Sequence, residues 1–163
     1  MNDGIMNDGI MNDGIMNDEE AEEYIQELTK AADNEENSAI LNMTTEKINE
    51  IKTTMLGELN FTEEKFNKIF KQLEDYMYVD EIPDLRYGAY IRWIPLKDVN
   101  NLNLKRGAVI CDLTITESGS NIKCKSINNN FIFDIKIDNC FIFRKLTYQE
   151  QILLSAMDHL SKS

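Results

Sequence analysis

Residues 107–146 read GAVICDLTITESGSNIKCKSINNNFIFDIKIDNCFIFRKL. Apolar and polar residues alternate through four blocks, 107–116, 121–127, 131–137 and 140–146, with turn-forming residues between them. That period is the signature of half-buried β-strands. Val109, Cys111, Leu113 and Ile115 share one face of the first block. A four-residue loop, Glu117 to Ser120, sets Ile115 opposite Ile122, so Ile122 and Cys124 join that face. A two-residue Asn128-Asn129 turn, in which Asn tolerates positive φ, then sets Cys124 opposite Phe133 and Ile122 opposite Ile135. Three strands agree on one buried face, which predicts a meander.

The last hairpin leaves two arrangements open. A two-residue Asp138-Asn139 turn buries Cys140 and Ile142 and turns Phe141 and Phe143 outward, where the final helix is the nearest cover. A three-residue loop or a bulge buries the two Phe instead. Upstream, 88–95 adds a fifth strand on which Ala89, Ile91 and Trp93 point inward and Tyr90 and Arg92 outward. Downstream, Thr147 and Glu150 form a capping box ahead of Ile152, Leu153, Ala156, Met157 and Leu160 at helical spacing.

The region before residue 84 has a different character. Residues 1–83 carry six Lys/Arg against 21 Asp/Glu, and residues 84–163 carry eleven against eight, so the whole-chain −12 describes neither part. Three copies of Met-Asn-Asp-Gly-Ile and the start of a fourth open the chain. A five-residue period matches neither helix nor strand, and the copies lack the alternate oxygen ligands of a calcium loop, so 1–17 is expected to be disordered. Three short amphipathic helices follow: one carrying Ala21, Tyr24, Ile25, Leu28 and Ala31, and one from Thr44 or Thr45 to Gly57. The third, capped by Asn60 or Thr62, carries Phe66, Ile69, Phe70, Leu73 and Met77 as the stripe that covers the sheet. The first, furthest from the sheet, is a possible docking segment.

The expected fold is α+β: a disordered repeat (1–17), an acidic helical segment (18–83), and a small β-rich domain (84–163). That domain is either a five-stranded antiparallel meander or a small β-barrel closed by the C-terminal helix. Five short strands flanked by helices resemble SH3-like or Sm-like barrels in layout, without a sequence motif of either family.

Little in the chain points to catalysis. The one histidine, His159, has no Cys or Ser arrangement beside it, and the three cysteines lack CxxC spacing. Cys111 and Cys124 read as core thiols, and a tetrahedral zinc site lacks a fourth ligand. No glycine-rich phosphate loop occurs. No catalytic residue, metal or cofactor is therefore expected. Reduced thiols, no apolar run near 18 residues and no basic-apolar start predict an intracellular protein, cytoplasmic or nuclear, with no membrane partner. The 20 Ile and 18 Asn against seven Ala fit a low-GC genome, a large DNA virus among the options, which would make a virion location possible.

Partners are read from charge and aromatics. Between Arg86 and Lys145 stand ten basic and five acidic residues, interleaved with Tyr87, Tyr90, Trp93, Phe141 and Phe143. Cross-strand acids account for two lysines, Lys125 opposite Asp112 and Lys123 opposite Asp134. The remaining contact set is Tyr90, Arg92, Lys105, Arg106, Lys136, Phe141, Phe143, Arg144 and Lys145. A charge-split chain with such residues reads first as a non-catalytic interaction or assembly module that self-associates or binds a protein. The alternative is a nucleic-acid-binding small barrel that uses the same basic and aromatic outer face.

Overall fold

The computed structural model describes residues 16–162. The pentapeptide repeat lies outside the described residues except for its last positions, where Asn17 caps a helix by accepting the Glu20 N–H at 2.7 Å. Among the described residues four α-helices and six strands follow in the order α1 (Asp18–Asp33), α2 (Thr45–Gly57), α3 (Glu63–Gln72), β1 (Tyr76–Val79), β2 (Tyr90–Pro95), β3 (Ala108–Thr116), β4 (Gly119–Ser126), β5 (Ile132–Lys136), β6 (Cys140–Lys145) and α4 (Tyr148–Ser161). Short 3-10 turns lie at Glu35–Asn42, Ile82–Asp84 and Ile137–Asn139. The fold is α+β, and no described helix is long and apolar enough to cross a membrane. Packing divides the described residues into 45–146 and 16–44 with 147–162, whereas composition changes at residue 84.

Residues 45–146 build one antiparallel sheet in the order β1-β6-β2-β3-β4-β5. It has six strands where the sequence suggested five. The extra strand, β1, was hidden because Leu73 and Met77 continue the helical spacing of Phe66, Ile69 and Phe70. The helix ends sooner: Leu73 is its C-cap, and the buried Lys52 ammonium donates to the Leu73 carbonyl at 2.8 Å over the Phe70 ring. Burial lowers the Lys52 pKa, with Asp75 and Glu74 opposing the shift. Tyr76-Met77-Tyr78-Val79, aromatic and β-branched, then pairs along β6.

The second departure is β6 itself. No β5–β6 hairpin forms; the 3-10 turn at Ile137–Asn139 carries the chain to the far side of β2, and β6 inserts between β1 and β2. The faces nonetheless match the Asp138-Asn139 arrangement, with Ile142 on the inner face and Phe141 and Phe143 on the outer. Their cover is supplied by α2 and α3: Leu56, Ile69 and Leu73 enclose Phe143 and Ile94, and Tyr78 meets Phe141 and Phe143 edge-on at 5.8 and 5.7 Å.

Every strand contributes to the inner core. Val79, Ile91, Ala108, Ile110, Ile122, Cys124, Ile135 and Ile142 form one buried cluster. Trp93 of β2 and Phe133 of β5 lie 5.4 Å apart by ring centroid although two strands separate them in the ladder, so the sheet curls strongly. β1 and β5 do not pair, so the sheet is open and the closed-barrel alternative does not describe it.

Register shows where a local rule misled. Cys124 faces Phe133 and Ile122 faces Ile135 as expected, although the loop is 127–130 with Asn130 at φ 59°. The β3–β4 connection is shorter than four residues: Thr116 pairs with Gly119, whose φ of 129° turns the chain, and Leu113 rather than Ile115 faces Ile122. A bulge between Ile110 and Asp112 then switches faces, burying Ala108 and Ile110 and pushing Cys111 outward, so Cys111 is not a core thiol. Lys123, not Lys125, sits opposite Asp112, and it also faces Asp134; Lys125 lies between Val109 and Ile132.

Residues 16–44 and 147–162 hold α1, the 3-10 turn at Glu35–Asn42 and α4. Asp18, Glu19 and Glu20 occupy the first turn of α1, where the helix dipole favours negative charge. The capping box of Thr147 and Glu150 is formed. Asn34 and Asn37 both donate to the Gln149 side-chain oxygen, at 3.1 and 3.0 Å, and the Tyr148 hydroxyl donates to Glu27 at 3.1 Å.

Because Phe143 is fully buried between sheet and helices, Phe143→Ala is expected to cost about 3–5 kcal/mol of unfolding free energy in denaturant titration. A loss below about 1 kcal/mol would contradict its place in the core.

Candidate functional site

The amphipathic pattern of α3 sets up one wall of a concavity. Phe66 and Phe70, one turn apart and stacked at 5.9 Å, face the core, which turns Lys65, Lys68 and Gln72 along one line toward solvent. Opposite them run Arg92 on the outer face of β2 and the segment 103–106. The groove between encloses about 550 Å³ and is lined by Lys65, Lys68, Arg92 and Arg106, with Glu64 its one carboxylate.

Two of these cations hold the walls. Lys65 donates to the Leu102 carbonyl at 2.6 Å and to Asn103 Oδ1 at 3.0 Å, and its ammonium lies 5.1 Å from the Phe61 ring. Arg92 Nε donates to the Lys105 carbonyl at 3.0 Å, while the Lys105 N–H donates to the Trp93 carbonyl at 2.8 Å. The 102–106 segment is thereby clamped to α3 and to β2. Burial raises the Tyr76 pKa, and the Arg92 guanidinium opposes that shift, so Tyr76 borders the same cations.

Of the residues expected from sequence, Arg92 and Arg106 line this groove, with Lys105 beside them. Tyr90 is exposed, two residues along β2 on the same face. Lys145 is exposed opposite Tyr76, and Lys136 is exposed on β5, at the far edge of the sheet. Phe141 is half-buried and Phe143 fully buried under the helices. Arg144 is buried across from Met77, donating to its sulfur at 3.3 Å, and is not available on the surface. Sequence reading missed Lys65, Lys68, Gln72 and Asn103. The signal was present, two lysines one turn apart opposite a Phe stripe, but the net charge of residues 1–83 obscured it. By packed unit, residues 45–146 carry 15 Lys/Arg and 15 Asp/Glu, and the rest of the chain carries two and 14.

A second surface lies at the β5 edge. Phe131 and Ile132 are exposed by 64 and 58%. Phe131 stacks on Phe133 at 6.4 Å, which meets Trp93, so an aromatic row runs from the core to solvent. The Ser126 N–H donates to the Phe131 carbonyl at 2.8 Å, which fixes the ladder alternation. The main-chain groups of Ile132 and Asp134 therefore point away from β4 toward the open edge.

A smaller cavity of about 240 Å³ is lined by Val79, Leu85, Cys140 and Ile142 together with Asp80, Glu81 and Asp138. Among the described residues no group of three or more His, Cys, Asp or Glu is arranged to hold a metal ion. No protein-family model, curated protein or solved structure matches the chain.

All three cysteines are free thiols. Burial pushes the Cys124 thiol up to about 12, with Cys111 and Asp134 adding to it, and burial pushes Cys140 up to about 11. Both stay protonated and unreactive through neutral pH, because the thiolate is the reactive form. At about pH 8 a maleimide is expected to label exposed Cys111 in the native protein and to reach Cys124 and Cys140 only on unfolding. Protection of Cys111 equal to that of Cys124 would contradict the bulge.

Proposed function

We propose that this chain is a non-catalytic protein-interaction or assembly module that works through the open β5 edge. One observation carries the reading: an edge strand presents outward main-chain donors and acceptors next to exposed Phe131 and Ile132. Unpaired strand edges recruit an extended segment from another chain, main-chain bonds giving affinity and flanking apolar side chains giving selectivity. Asp134 and Lys136, both exposed on β5, supply charge that restrains indiscriminate pairing. Either a second copy of this chain or another protein can provide the added strand. The three free thiols favour a location inside the cell, in cytoplasm or nucleus, or in a virion if the source is viral.

Nucleic-acid binding is the second reading, supported by the cations of the α3–β2 groove. It ranks lower because only one exposed ring, Tyr90, shares a face with the groove cations. Arg92 is on the outer face with Tyr90, whereas Trp93, Phe133 and Phe131 form their row on the inner side. Phe141 and Phe143 are packed among the helices.

Light scattering coupled to size exclusion separates the two. A discrete oligomer or complex that persists at high salt is expected. Ile132→Pro removes one outward donor without touching the β4 ladder and should weaken association by roughly tenfold or more while the thermal midpoint holds. A monomer at every concentration, or association indifferent to Ile132→Pro, would refute the edge as the contact. Co-eluting nucleic acid that high salt strips away would favour the second reading.

A further inference from the structure

We propose that the groove between α3 and β2 is a binding site for a compact, phosphate-bearing ligand of about nucleotide size. This is independent of the β5 edge. The observation behind it is a set of cationic heads left uncommitted inside a shaped cavity. Among the described residues, Lys68 and Arg106 make no hydrogen bond or ion pair, and Arg92 spends only its Nε, on the Lys105 carbonyl at 3.0 Å. The two Nη groups of Arg92 remain as a fork, held in orientation by that bond. Lys65 is consumed in clamping the wall, at 2.6 Å from the Leu102 carbonyl, so the cavity does not depend on the ligand for its shape. Unneutralised cations around one concavity repel each other, and an anion that enters relieves that repulsion.

The chemistry of the groove selects among anions. A planar guanidinium fork matches two oxygens of a phosphate, and two further cations suit a ligand bearing several negative charges. The volume, about 550 Å³, falls within the range of small-molecule sites. Tyr90, exposed two residues along β2 on the Arg92 face, is near enough along the strand to cover a ring attached to the phosphates. An extended polyanion gains little beyond the groove, because residues 45–146 carry 15 Lys/Arg against 15 Asp/Glu and the cations of the groove are only a local excess.

Isothermal titration calorimetry of the full chain with tripolyphosphate and with ATP, each without divalent metal, tests the site. Saturable one-to-one binding is expected with both probes, tighter with ATP if Tyr90 covers the ring. The exposed pair Lys68→Glu with Arg106→Glu should weaken it by roughly tenfold or more, and Lys97→Glu with Lys125→Glu, an equal charge change outside the groove, by no more than about twofold. Arg92→Lys keeps the charge and loses the fork, and should weaken binding of tripolyphosphate and ATP, with any drop in thermal midpoint reporting the lost bond to the Lys105 carbonyl. Ile132→Pro should leave it unaffected, so failure here and failure of the edge reading are distinguishable. No saturable heat with either probe overturns the proposal, as does equal weakening by the two charge-reversal pairs. Tighter binding of a single strand of roughly 12 nucleotides, sensitive to the groove pair, would replace it with an extended nucleic-acid surface. Displacement of tripolyphosphate by polyglutamate at equal charge would replace it with an acidic-peptide site.

Discussion

The insertion of β6 between β1 and β2 is the constraint on which the rest of the sheet unit depends. Its hydrogen bonds run to both neighbours, Met77 and Ile91 flanking Arg144 from either side. Its side chains are buried on both faces, Ile142 in the curled inner core and Phe143 beneath α2 and α3. A strand so placed can be neither an edge nor half of a surface hairpin. It joins the segment 76–79 to the distant segment 90–95 and leaves β1 and β5 as the two edges. It also fixes where α3 lies, because the Leu56, Ile69 and Leu73 cluster follows Phe143, and α3 supplies one wall of the basic groove.

Much of this is legible in the sequence. Alternation marked five of the six strands, Thr147 marked one helix start, and of the two caps offered for another, Asn60 and Thr62, Thr62 is the one used. The pairing of β4 with β5 was read correctly even though the turn was not, since lengthening a loop symmetrically about residues 128 and 129 preserves register. Cys111 failed for the converse reason: one bulged residue reverses every face beyond it, and nothing in Val-Ile-Cys-Asp-Leu announces a bulge. β1 was lost to Met77, which prolongs a helical period by coincidence. The partner of β6 was lost because adjacency in sequence favours a hairpin, and only the summed burial of Phe143 and Ile142 selects the insertion.

The candidate sites were less legible than the fold. Arg92, Lys105 and Arg106 were visible as a basic cluster, but Lys65 and Lys68 come from a segment whose net charge is negative, and Arg144 proves to be interior. Net charge averages over residues that never meet. Sorted by packed unit, the acidic excess belongs to residues 1–44 and 147–163, and the sheet unit is neutral with cations gathered in one groove. The edge of β5 and this groove are separate surfaces with separate chemistry, one apolar with main-chain donors and one cationic.

The strand order can be tested directly by inter-strand nuclear Overhauser contacts in the isotopically labelled protein. Contacts linking Ile91–Pro95 to Cys140–Arg144, and Tyr76–Val79 to Ile142–Lys145, are expected from the insertion of β6. Contacts linking Ile132–Lys136 to Cys140–Lys145, with none to Tyr76–Val79, would mean a β5–β6 hairpin. That result would remove the open β5 edge and the packing that sets α3 beside β2.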